Sequence, residues 1–177
     1  MLYFLLRSII LSGVLIISTS SHARGIYQEP DDFINQAFDG HPPAARLIWL
    51  TSDIRPAIER ILDHKATRLR IRYWLKDGRS AWILDEIGKE KPITAGFIIR
   101  NGKLKRTKIL VFRESRGWEI SQPFFTRQFI DAQLIKDNQL DRNIDGISGA
   151  TLSVRAIHKL SRIALLLAKQ AQSQQNK

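Results

Sequence analysis

The chain has no cysteine and only one methionine among its 177 residues. Without thiols there can be no disulfide, no thiolate-bound iron–sulfur cluster, no Cys-x-x-Cys-His haem attachment and no lipid-modified N-terminal cysteine. Any redox chemistry therefore has to come from an acquired organic cofactor. Histidine is scarce as well, and His22, His41, His64 and His158 show neither metal-ligand nor catalytic spacing. Internal repeats, a long linker, zinc-finger spacing and a helix-turn-helix pattern are also missing. Beyond the N-terminus no apolar run is long enough to span a bilayer.

Positive charge is what the chain has in excess: 28 Lys and Arg against 17 Asp and Glu give a formal net charge of +11. Its meaning depends on compartment, which the first 23 residues address. Met1 to Arg7 carries one side-chain cation, Ser8 to Ile17 is mostly apolar, and Ser21-His22-Ala23 puts small residues at both positions a signal peptidase requires. Residues 1–23 thus read as a signal peptide, with export to the periplasm and cleavage before Arg24. The alternative is an uncleaved N-terminal membrane anchor, because Met1 to Ile17 almost spans a bilayer if Arg7 snorkels. Cleavage leaves 154 residues, enough for one domain with its own core over residues 24–169. The charge falls to +10 as Arg7 departs. Export takes the chain away from nucleic acid, so the cations read as solvated faces, with an acidic partner or an anionic membrane surface as the remaining reading.

Periodicity supplies the elements. Asp31 to Phe38 and Ala44 to Leu50 read as short helical segments, and Ser52 and Asp53 as caps of a helix with Ile54, Ile58, Ile61 and Leu62 on one stripe. Trp49, inside an apolar run, reads as core. Residues 68–75 alternate, placing Leu69, Ile71, Tyr73 and Leu75 on one face of a strand, which turns at Asp77-Gly78 into residues 80–85. After a charged loop over residues 85–92, Ile93 to Arg100 and Lys103 to Arg113 form a second hairpin around Asn101-Gly102. Four consecutive apolar residues, Ile109 to Phe112, imply a strand end buried on both faces. Phe124, Phe125 and Phe129 read first as packing and second as a ligand wall. Short extended pieces follow near Leu134-Ile135 and Asp141 to Ile144. The expected fold is α+β: a twisted, mostly antiparallel sheet of four or five strands flanked by helices, closed by a long C-terminal helix to about Lys169, with a frayed polar tail over residues 170–177.

Two places carry candidate chemistry. Glu114, Arg116 and Trp118 surround Gly117 with an acceptor, a donor fork and an apolar plate, a set that suits a planar polar ring and also an ordinary surface turn. Asp145-Gly146-Ile147-Ser148-Gly149-Ala150-Thr151 then enters the last helix as a tight turn of small residues, with Ser148 or Thr151 as the natural N-cap. A sterically open helix start offers unpaired N–H groups and partial positive charge, which suit a phosphate. The same pattern also serves as a plain cap.

Asp-Gly-Ile-Ser-Gly-Ala-Thr at residues 145–151 resembles the attachment motif of the FMN-binding domain family, which includes periplasmic subunits of the Rnf complex and of the sodium-translocating NADH:quinone reductase. The resemblance follows motif order from about Ile93 to Leu167, so residues 93–169 read as an FMN-binding core and residues 24–92 as N-terminal helices and a first hairpin. It implies that a flavin transferase joins FMN through a phosphoester to Thr151, with Asp145, Gly146, Ser148, Gly149, Ala150 and Ser153 shaping the site. It also implies that Glu114, Arg116 and Trp118 lie near the ring, although Ser115-Arg116 stands where relatives carry Thr-Pro. Ser153-Val154 likewise replaces Thr-Ser. The function implied is electron transfer outside the cytoplasm with a membrane or periplasmic redox partner, in a small stand-alone relative of those subunits. Two other readings are a flavin-dependent reductase of a small molecule and a colourless basic adaptor.

Overall fold

A computed structural model describes residues 25–175. The expected signal peptide over residues 1–23, Arg24 and the last two residues lie outside the described residues. In chain order the elements are β1 (Gly25–Ile26), α1 (Pro30–Ala37), β2 (Arg46–Trp49), α2 (Arg55–Leu62), β3 (Arg70–Lys76), β4 (Arg79–Ile87), β5 (Pro92–Arg100), β6 (Lys103–Phe112), α3 (Pro123–Thr126) and α4 (Thr151–Gln175). The strands form one antiparallel sheet in the order β1-β6-β5-β4-β3-β2. This is the expected α+β class with its long C-terminal helix.

The middle of the sheet is two hairpins whose turns are written in the sequence. Asp77-Gly78 and Asn101-Gly102 each take positive φ at both positions, 50° and 72° and then 53° and 72°. That is the two-residue turn whose twist matches antiparallel strands. Along β3, Ile71, Tyr73 and Leu75 are buried while Arg70 and Arg72 are exposed. The register sets Tyr73 opposite Trp82 in β4, and their rings stack at 4.8 Å between centroids. Such a pair contributes about 0.5–1.5 kcal/mol beyond its burial.

The sheet is covered on both faces, which explains the doubly buried end of β6. Ile109 and Phe112 join the main core under α4, whereas Leu110 and Val111 join a smaller cluster with Phe33, Ile34 and Ala37 of α1. Docking of α1 depends on Gly96 in β5: a Cβ there would sit 2.6 Å from Phe33 ring carbons. Only a residue without a side chain lets the ring lie on the strand.

Several expectations are corrected. Ala44 to Leu50 is not a helix but contains the strand Arg46–Trp49: after Pro42-Pro43 the run is too short for a helix, and Ile48 and Leu50 are buried while Leu47 and Trp49, the latter expected in the core, are exposed, a period of two. With β1 this brings the strand count to six, above the expected four or five. Leu69, expected on the core face, is 66% exposed because β3 begins one residue later. The last helix passes Lys169 and runs to Gln175, with Ala171 fully buried. Nor do Ser52 and Asp53 cap α2; its N-cap is Ile54 without a side-chain bond, and the Ser52 hydroxyl donates to Asp53 at 3.4 Å.

Candidate functional site

The end of the sheet formed by the close of β4, the start of β5 and the close of β6 sends two loops toward the N-terminus of α4. The first is Gly88 to Lys91, the second Arg113 to Gly117. Arg113 fixes the departure of the second loop by donating to the Pro92 carbonyl and the Thr94 hydroxyl, both at 3.0 Å.

Glu114 joins the loops. It is 5% exposed, and its Oε1 accepts backbone N–H bonds from Lys89, Glu90 and Lys91 at 2.6, 2.7 and 2.9 Å. Burial, the largest single influence, pushes its carboxyl pKa up. The three N–H donors and the Lys89 charge outweigh it, so the net shift is downward and the carboxylate stays ionised. A Cβ at Gly88 would meet Ile93 Cδ1 at 2.9 Å and Glu114 Oε1 at 3.0 Å, which explains glycine at the head of the first loop. Gly117 closes the second loop at φ +87°, with a virtual Cβ 3.0 Å from Ser153 Oγ and 3.2 Å from Ala150 Cβ. The loop thus rests directly on the helix start.

That start is built from the small residues of the motif. Ala150 N–H donates to the Ile147 carbonyl at 3.0 Å, closing a four-residue turn in which Gly149, third in order, has φ +79°. This is the position where a type II turn requires positive φ. The Ala150 carbonyl accepts from Val154 N–H at 2.9 Å, the first bond of α4, which makes Ala150 the N-cap. The cap expected from Ser148 or Thr151 is therefore not made: Ser148 lies inside the turn and Thr151 is the first helical residue. Alanine has no side-chain acceptor. Among the described residues nothing accepts from the N–H groups of Thr151, Leu152 or Ser153, and the partial charge of a 25-residue helix stays concentrated there.

Between the loops and this helix start lies a cavity of about 600 Å³, inside the range of ligand pockets. Gly149, Ala150, Thr151 and Ser153 line one side; Glu114 and Arg116 line the other. Six of the ten residues singled out from the sequence thus share one wall system. Thr151 is exposed, so its hydroxyl is within reach of a second macromolecule. Arg116 is exposed too and makes no hydrogen bond or ion pair among the described residues, leaving its guanidinium available to an anion.

The other four lie outside the lining. Trp118 is half-buried against the main core. Asp145, Gly146 and Ser148 are exposed on the approach to the turn. The Asp145 N–H donates to the Gln128 side-chain oxygen at 2.7 Å. Nothing lies within 4 Å of a Cβ at Gly146, so the fold itself does not demand glycine there. Sequence reasoning missed Lys89, Ser115 and Leu152 in the lining and Gln128 behind it. Lys89 sits in a charged loop that only the strand register brings opposite a helix remote in sequence. Elsewhere, burial and the Arg162 charge hold His158 below the usual imidazole pKa, and it does not line this cavity. No cluster of His, Asp or Glu suited to a metal occurs among the described residues.

The donor set fits a phosphate joined to a polar ring: three open N–H groups, a hydroxyl and two cations around a roomy cleft. Residues 88–166 match the model of a known family, the FMN-binding domain. No curated protein and no solved structure matches the chain.

Proposed function

Because residues 88–166 are an FMN-binding domain and FMN is its cofactor, we propose that this chain is an exported flavoprotein that carries FMN on Thr151 and relays electrons outside the cytoplasm. The observation that carries the reading is the uncapped start of α4, with the exposed Thr151 hydroxyl as its first residue, facing Arg116 across the cavity. A phosphoester at Thr151 puts the phosphate beside the open N–H groups of the first turn, where helix charge favours an anion. A flavin transferase reaches this hydroxyl from solvent, and Asp145, Gly146 and Ser148, exposed on the approach, form the surface it reads. Attachment suits an exported carrier, since a cofactor lost to the medium is not regained by mass action.

FMN supplies chemistry in steps of one or two electrons when bound. The chain contributes position and field. Glu114 clamps the first loop and so holds Lys89 in the wall; Gly117 seats the second loop on the helix; Arg116 and Lys89 place positive charge where an anionic group is held. No helix among the described residues is long and apolar enough to cross a membrane. Its partners, on this reading, are met in the periplasm or at a membrane surface.

Co-expression with a periplasmic flavin transferase tests the reading. The expected product is a yellow periplasmic protein whose first residue is Arg24 and whose colour is reversibly bleached by a reductant. A colourless product contradicts the carrier role, and a membrane-bound product starting at Met1 replaces cleavage by the anchor.

A further inference from the structure

A second cavity, of about 460 Å³, runs along the outer edge of β6. It exists because β1 pairs only with Val111 and Phe112, leaving the edge before them without a neighbouring strand. The segment from Ser121 to Ile130, which continues from the Glu114 to Gly117 loop, forms the opposite wall.

The lining is cationic and includes no carboxylate: Lys105, Arg106, Lys108 and Arg127 all contribute. Lys105 is paired with Asp131. The side chains of Arg106, Lys108 and Arg127 make no hydrogen bond or ion pair among the described residues. Three unpaired cations lining one hollow repel one another, and a bound anion relieves that repulsion. Burial first, and then the Arg106 charge, push the Lys108 ammonium below its ordinary pKa, as expected for a cation lacking a counter-ion.

Ile130, in the lining, is 43% exposed, and Phe124, next to the lining Pro123, is 61% exposed.

We propose that the cavity between β6 and the Ser121 to Ile130 segment binds a phosphate-bearing anion, held by Arg106, Lys108 and Arg127. The site is separate from the helix-start cavity and does not depend on the flavin reading. Two sources share this chemistry: the headgroup of an acidic phospholipid and a soluble phosphate. Exposed Phe124 and Ile130 beside the cations match the lipid source, because such side chains enter the bilayer interface while the cations meet headgroups. In that case the site seats the domain on the membrane.

The test uses the purified protein in two arms: titration with inorganic phosphate, and cosedimentation with vesicles of phosphatidylcholine alone or mixed with phosphatidylglycerol. Binding to the mixed vesicles but not the neutral ones supports the lipid source; saturable phosphate binding without vesicle binding supports the soluble one. In whichever arm binds, Lys108→Ala and Arg127→Ala each weaken binding about tenfold. The double variant Arg70→Ala/Arg72→Ala, at the far side of the sheet, leaves it unchanged. Lys108→Ala and Arg127→Ala keep the wild-type melting temperature, which excludes misfolding as the cause. Binding in neither arm overturns the proposal, as does equal weakening by the Arg70/Arg72 control. So does loss of phosphate binding in Arg116→Ala alone, which assigns the anion to the helix-start cavity.

Discussion

Removing the Glu114 carboxylate probes how the cleft is held together. Glu114 is buried, and one of its oxygens receives three backbone N–H bonds from the Lys89 to Lys91 loop. A hydrogen bond to a charged acceptor contributes about 1.5–3 kcal/mol. Three on one oxygen do not add, and Lys89 and Glu90 are exposed, so water can take up their freed N–H groups. We therefore expect Glu114→Ala to lower stability by about 2–3 kcal/mol, and Glu114→Gln, which keeps an acceptor without the charge, by about 1 kcal/mol. For a domain of this size each kcal/mol lowers the melting temperature by about 2–4 °C. The effect depends on pH in a defined direction. The folded pKa lies below the unfolded one, so the contribution is complete above the unfolded carboxyl pKa of about 4.3 and disappears as pH falls through the folded value. Urea unfolding of the three proteins across this range reads out both magnitude and direction. Equal stability of all three at neutral pH, within about 0.5 kcal/mol, would refute the idea that Glu114 organises the first loop.

Other substitutions test neighbouring parts. Gly117→Ala imposes positive φ on a residue with a Cβ and pushes it against Ser153 and Ala150; thermal melts should show a loss of about 2–3 kcal/mol, with weaker flavin retention because the collision is at the helix start. Gly96→Ala drives a methyl into the Phe33 ring on the far face of the sheet, costing about 1–3 kcal/mol while flavin content per folded molecule stays the same. His64 hydrogen-bonds the Lys65 carbonyl at 3.0 Å and Glu86 at 3.1 Å, and these partners, the carbonyl first, raise its pKa. Its contribution is complete below the unfolded value and is lost as pH rises through the folded one. The melting gap between wild type and His64→Ala should thus be wider near about pH 5.5 than near about pH 8.5, and an equal gap at both would remove charge from the role of His64.

The residues that announced themselves in the sequence are those whose local chemistry decides their conformation. Asn101-Gly102 and Asp77-Gly78 define their turns through backbone angles alone, and the alternation of Ile71, Tyr73 and Leu75 defines a half-buried strand. Residues 44–50 did not, because a short apolar run fits either period, and only the open edge of β3 makes it a strand. The motif before α4 showed a helix start, but not that Ala150 occupies the cap. That depends on where the Ile147 turn closes. Lys89 and Gln128 were invisible for another reason. Each reaches the site through pairing between segments far apart in the chain, which no local pattern encodes.

Intact mass of the acid-denatured protein after co-expression with a flavin transferase tests covalent FMN at Thr151 most directly. Wild type is expected to show the mass of one FMN less one water and to stay yellow. Thr151→Ala is expected to fold, since Thr151 makes no side-chain hydrogen bond among the described residues, yet to show the bare polypeptide mass. A Thr151→Ala protein that still carries the added mass would contradict the assignment and move attachment to Ser148 or Ser153. A wild-type protein that releases all its flavin on denaturation would contradict covalent attachment itself.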